Sequence, residues 1–159
     1  MEPSVKNVSP TDLAYIAGFF DGEGHIRIQR HSKRCRTMTL QCQISQVTEY
    51  PLVWIQERFG GTISGRLIKY AGGLRPIYSW QISSLGAEKF LRAIYPYLQV
   101  KQDEADVAIL FRETFRPQHV KGGHKKMDES VIEFRQECSD KLKSLRIEKR
   151  ENSKSVLAA

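Results

Sequence analysis

The chain has 159 residues, enough for one compact domain with a real core and too few for a second independent domain. A formal net charge of +7 and a sequence pI near 9.4 make the surface basic overall, which favours nucleic acid or another polyanion as partner. The three cysteines, Cys35, Cys42 and Cys138, are odd in number and lack CxxC spacing, which argues against a disulfide framework or a thiolate zinc site and for reduced core residues. No stretch has the length and apolarity of a signal peptide or a membrane span. The expectation is a soluble intracellular protein, neither secreted nor membrane-bound.

Along the chain, Ser9-Pro10-Thr11-Asp12 opens a helix: Ser9 can cap, Pro10 suits the first helical position, and Asp12 stands where a capping-box acid belongs. The helix is expected to run to about Phe20. Leu13, Ile16 and Phe20 form its apolar face, and Ala14, Ala17, Gly18 and Asp21 a small one. A glycine inside a helix costs roughly 1 kcal/mol relative to alanine. Close approach of a second helix backbone would account for it.

After Gly22-Glu23-Gly24 the period becomes alternating, with His25, Arg27 and Gln29 opposite Ile26 and Ile28. A second strand sets Met38, Leu40, Cys42 and Ile44 against Thr37, Thr39, Gln41, Gln43 and Ser45. The basic connection between them carries His31, Lys33, Arg34 and Arg36. Pro51 opens a second helix with Leu52, Ile55 and Phe59 on one face, closed by Gly60-Gly61. A second hairpin follows, about Thr62 to Tyr70 and Ile77 to Ser83. Tyr78, Trp80 and Ile82 should face inward, Ser79 and Gln81 outward, and Arg66, Lys69 and Arg75 add positive charge.

From Leu85 the pattern is helical through Ala87, Phe90, Leu91 and Ile94, broken at Pro96, and resumed at Ala105, Ala108 and Ile109. Residues 116–126 form a basic connector whose His119 and His124 are expected to be solvated loop histidines rather than metal ligands. A last amphipathic helix, about Asp128 to Lys149, carries Phe134, Cys138, Leu142 and Leu145 along one stripe. The domain thus has a core of about 9–115, a C-terminal helical extension of about 127–150, and a tail, 151–159, expected to fray.

Helix, hairpin, helix, hairpin, then helices describes an α+β fold in which a helix-plus-hairpin unit is approximately duplicated. The arrangement expected is αββαββα, a four-stranded antiparallel sheet with helices on one face. The uncovered face would carry Arg27, Gln29, Thr39, Gln41, Gln43, Arg66, Ser79 and Gln81. Arg and Gln are suited to bidentate contact with guanine and adenine edges, and a β-ribbon fits the major groove.

Ala14-Tyr15-Ile16-Ala17-Gly18-Phe19-Phe20-Asp21-Gly22-Glu23-Gly24-His25-Ile26 resembles the signature of the LAGLIDADG homing endonucleases, in its single-motif, homodimeric type. Gln43-Ile44-Ser45-Gln46 is similar to the family's end of strand two, and Pro96-Tyr97-Leu98-Gln99-Val100-Lys101-Gln102 to its turn before a helix. The resemblance extends from about Thr11 to Ala108. It implies a site-specific DNA endonuclease, dependent on Mg²⁺, with Mn²⁺ or Ca²⁺ able to occupy the same sites, that leaves short 3′ overhangs. Glu23 would hold metal beside the Gly22 carbonyl, Gln46 orient the attacking water, and Lys101 stabilise charge near the phosphate. Ala14, Ala17, Gly18 and Asp21 would meet a second copy, Asp21 serving as a helix-end residue.

The family more often has Asp where Glu23 stands, with Glu an accepted variant. Its members often carry a further basic residue after the strand-two glutamine. Here that segment is Val47-Thr48-Glu49-Tyr50-Pro51, which leaves the basic position unassigned. A single signature implies a homodimer on a pseudo-palindromic duplex. The rival reading is a protein of the same fold that binds intron RNA as a maturase, or binds DNA without cutting it.

Overall fold

The computed structural model describes residues 8–30, 32, 37–115 and 128–158, with side chains as far as residue 155. His31, Lys33, Arg34, Arg36, Cys35, His119 and His124 lie outside the described residues. The elements are α1 (Pro10–Glu23), β1 (Gly24–Arg30), β2 (Met38–Gln46), α2 (Tyr50–Phe59), β3 (Thr62–Tyr70), β4 (Gly73–Ser83), α3 (Ser84–Ile94), a 3-10 turn (Tyr95–Tyr97), α4 (Gln102–Glu113) and α5 (Glu129–Ala158). No described helix is long and apolar enough to cross a membrane.

The Ser9 hydroxyl accepts the Asp12 N–H at 3.1 Å, and Pro10 occupies the first turn of α1. The helix runs one turn beyond the expected end at Phe20, because Gly22 and Glu23 keep helical geometry and Gly24 closes it with its N–H on the Phe20 carbonyl. Only glycine fits there: a Cβ at Gly24 would collide with the Phe20 carbonyl and ring. Strand β1 therefore leaves α1 without a loop.

The antiparallel sheet has the order β1-β2-β4-β3. Its inner face presents Ile26, Ile28, Leu40, Cys42, Ile44, Trp80 and Ile82 to the helices. Phe90 of α3 lies at the centre, its ring 5.2 Å from Phe20 and 5.0 Å from both Phe59 and Trp80. Edge-to-face contacts between such rings add about 0.5–1.5 kcal/mol each beyond burial. Cys42 and Cys138 are buried free thiols.

Strand β4 begins at Gly73, earlier than the expected Ile77, and includes Pro76. Strand β2 pairs with β4 only between Tyr78 and Ser83, so Pro76 sits where one side of β4 has no neighbour and a missing N–H costs nothing. The outer part of the β3–β4 hairpin consequently projects past the helical layer as an arm.

Helix α5 covers the free edge of β1. Its Ser139 hydroxyl donates to the Ile28 carbonyl at 3.0 Å and its Gln136 side-chain carbonyl accepts from Arg30 at 3.0 Å. Edge coverage of this kind blocks pairing with foreign strands. The helix continues to Ala158, through residues expected to fray. No glycine or proline interrupts 150–158, so nothing in the local sequence stops it.

Candidate nucleic-acid interface and active site

On the open face of the sheet, the polar side chains from three strands hold one another. The Arg27 guanidinium donates from Nε to the Gln41 side-chain carbonyl at 2.5 Å and from a terminal nitrogen to that of Gln43 at 2.8 Å. Gln41 in turn donates to Gln81 at 3.0 Å, Gln43 to the Ser45 hydroxyl at 3.2 Å, and Ser45 and Ser79 share a hydrogen bond of 2.8 Å. Gln41 is only 8% exposed. It is placed to hold Arg27 and Gln81 rather than to reach outward, so base contacts by this set require some of these internal bonds to be exchanged.

Strand parity assigns the remaining residues. Arg66 and Arg75 share the open face with Ser79 and Gln81 through the pairs Arg66↔Ile77, Ile68↔Arg75, Ser64↔Ser79 and Thr62↔Gln81. Lys69, expected with Arg66 and Arg75 to face DNA, pairs with Leu74, on the side of Ile63 and Trp80, so it faces away from the polar array that Arg66 and Arg75 share. Gln29 and Thr39 pair across β1 and β2 near the far end of that face. His25 and Ser45 also belong to it. The alternation in β1 and β2 signals both, although neither was among the expected contact residues.

At the other end of β1, three segments meet around the last turn of α1. The Asp21 carboxylate accepts the backbone N–H groups of Gln99 at 2.7 Å and Lys101 at 2.9 Å. The Lys101 ammonium donates back to the Asp21 carbonyl, an arrangement favoured at a helix C-terminus by both the unpaired carbonyl and the dipole. Lys101 is thereby held beside the turn that carries Gly22 and Glu23. Burial lowers its amine below the ordinary lysine range, partly countered by the Glu104 and Asp21 carboxylates. The His25 imidazole is likewise lowered, by burial and then by the Arg146 and Arg27 guanidinium groups.

Glu23 is exposed, and no hydrogen bond or ion pair engages its carboxylate among the described residues. Gln46 ends β2 opposite Tyr78, half-buried, its side-chain carbonyl accepting the Val47 N–H at 3.0 Å. Gly24 pairs with Ile44, which sets Gln46, two residues further on, at the level of the end of α1. Among the described residues, no group of three or more His, Cys, Asp and Glu side chains could hold a metal within one protomer. A lone free carboxylate with neighbouring helix-end carbonyls still fits a hard cation of the Mg²⁺ type, which keeps several waters and binds through one or two carboxylates plus substrate phosphates.

The outward face of α1 is bare. Ala14, Gly18 and Gly22 recur every fourth residue and are exposed, and a Cβ added at Gly18 or Gly22 would meet nothing within 4 Å. Ala17, expected on this face, is fully buried in the core, because it lies one residue from Ile16 and three from Phe20. Asp21 is occupied with the loop at 99–101. The small face is thus narrower than expected, with Gly22 extending it.

Asp21 gives a direct test of this junction. Asp21→Ala leaves two backbone N–H groups without their acceptor, a loss of about 1–3 kcal/mol. A lower urea midpoint at unchanged m-value is the expected outcome, and an unchanged midpoint would show that the 99–101 loop is held by other contacts.

No protein-family model and no curated protein matches the chain. Solved structures do. The homing endonuclease I-CvuI, in complex with its target in the presence of calcium, aligns with a TM-score of 0.56 at 20% identity, covering 83% of this chain and 94% of that one. The archaeal intron-encoded homing endonuclease I-Vdi141I, complexed with DNA, aligns at 0.51 and 16% identity over 80% of this chain and 96% of that one. The LAGLIDADG homing endonuclease I-GzeII, with its DNA target, aligns at 0.55 and 16% identity; the match covers 79% of this chain but 42% of that one. The likeness is one of fold: an α+β domain of the LAGLIDADG homing-endonuclease type, with its four-stranded saddle-like sheet.

Proposed function

We propose that this domain of LAGLIDADG fold is a site-specific homing endonuclease that acts as a homodimer, making a divalent-metal-dependent double-strand break with short 3′ overhangs in a pseudo-palindromic duplex. The observation that carries the reading is the unengaged Glu23 carboxylate, at the end of a helix whose outward face is bare and beside an anchored lysine. Two copies joined along Ala14 and Gly18 would bring two Glu23 side chains to a common centre. The two polar sheet faces would then address the two half-sites.

Glu23 and the Gly22 carbonyl would hold Mg²⁺, or Mn²⁺ or Ca²⁺ in its place; a bound metal of this kind neutralises phosphate charge and lowers the pKa of a coordinated water. Gln46 offers an amide that would orient an attacking water in line with the scissile bond. Lys101 has three N–H donors, one committed to the Asp21 carbonyl, which leaves two for phosphate oxygens. In the hydrolysis, the water oxygen bonds to phosphorus as the bridging P–O bond breaks. The departing oxygen takes up a proton, and the other proton of the water passes to solvent.

A maturase or a purely DNA-binding protein of the same fold would give Glu23 no role. Selection of cleaved duplexes from a randomised library with Mg²⁺ tests the reading directly. Recovery of a two-fold related consensus with 3′ extensions is the expected result. Absence of any enriched cleaved sequence, or enrichment of asymmetric sites, would count against it.

A further inference from the structure

Helix α5 changes character along one face. The row Cys138, Leu142, Arg146, Arg150 and Lys154, each four residues from the last, is buried at its first two members, half-buried at Arg146 and exposed at the final two. The side that packs on the domain in the first half of the helix therefore becomes a basic ridge that none of the described residues covers. Of the acids in these turns, Glu148 points to the opposite side, and Glu151 stands at the flank of the row, three residues before Lys154. Like charges at i and i+4 destabilise a helix by about 0.2–0.5 kcal/mol per pair, and this row contains two such pairs in succession. Arg150 and Lys154 have no ion-pair partner among the described residues to relieve them.

The position of the ridge gives it meaning. Helix α5 runs antiparallel to β1 along its edge, from Gln136 at Arg30 through Ser139 at Ile28 to Arg146 near His25. Lys149 then donates to the Val100 carbonyl at 2.7 Å, to Asp103 at 2.6 Å and to Glu104 at 3.2 Å. Val100 adjoins Lys101, which is anchored to the end of α1 two residues before Glu23. The helix thus passes the site and continues beyond it. Arg146 bonds Glu104 at 3.4 Å, yet one of its terminal nitrogens is buried with no partner, at the start of the free ridge.

We propose that the ridge Arg146, Arg150 and Lys154 is a backbone-phosphate contact that grips duplex DNA beyond the reach of the sheet, next to the Glu23 turn. This rests on the DNA-binding reading above. The contact is to charge and not to bases, so it acts alike on every sequence.

The test is duplex binding by the full chain over a salt series, on the selected target and on a random-sequence duplex. The double variant Arg150→Gln/Lys154→Gln is expected to reduce the slope of log K against log salt by about one for each cation removed, equally on both duplexes. The control Glu148→Gln raises net charge on the other side of the same turns, at an exposed position, and should leave the slope unchanged. Both replacements fall at exposed positions, and the first removes repulsion within the helix, so folding is preserved. An unchanged slope in the basic-ridge variant, an equal response in the control, or a loss confined to structured RNA would overturn the contact while leaving a steep wild-type response, and with it the DNA-binding reading, intact. A wild-type chain with no salt-dependent duplex binding would overturn both.

Discussion

Glu23→Gln is expected to abolish cleavage while leaving target affinity within about twofold of wild type. The amide keeps the size and exposure of the side chain, and among the described residues no hydrogen bond or ion pair engages the carboxylate, so neither fold nor sheet is disturbed. What is lost is the negative charge needed to hold a hard cation. Even residues that only support a metal ligand commonly cost 10–100-fold when replaced, and loss of the ligand itself should exceed about a hundredfold. Single-turnover cleavage with saturating enzyme separates this from a binding defect. Residual nicking at more than a tenth of the wild-type rate would remove Glu23 from the metal site.

The second large effect is on association. Gly18→Leu places a branched side chain on the outward face of α1, where the protomer has open space. The isolated protomer should tolerate it and gain slightly in helix propensity, by up to about 1 kcal/mol. A second α1 backbone packed against that face has no room for four more carbon atoms. Sedimentation should therefore show a monomer with an unchanged or raised thermal midpoint, and cleavage lost with association. A dimeric variant would place the contact elsewhere. A variant that unfolds would show that Gly18 serves the protomer.

Much of this arrangement is legible in the chain because the relevant signals are local. Alternation in 25–29 and 37–45 separates the core face of the sheet from its polar face, and the Ser9-Pro10 start and Gly60-Gly61 stop mark their helices. The features that differ depend on register or on distant partners. The charge of Lys69 sorts it with Arg66 and Arg75, but its face is decided by pairing with Leu74 across the hairpin. Ala17 is small like Gly18, yet helical geometry turns it into the core. The partners of Asp21 lie 78 and 80 residues away, a separation no local pattern reports. The polar face was legible as a set of side chains, but not as a network in which Gln41 is covered and Arg27 already satisfied in part. The free half of α5 is not legible from the apolar stripe of this helix, which ends where the basic ridge begins.

The projecting end of the β3–β4 hairpin separates two kinds of constraint. Leu67 and Leu74 on its back are 66% and 65% exposed, and beyond Tyr78 neither strand has a third neighbour. Substitutions there forfeit almost no buried area, and surface changes of this kind fall within about 0.5 kcal/mol. The turn bearing Glu23, by contrast, is wedged against Phe20 at Gly24 and tied through Asp21 to a distant loop. A lineage of such chains can therefore drift in the residues of the arm while the Glu23 turn stays fixed. Directed evolution of the arm alone should yield many folded variants from a modest library.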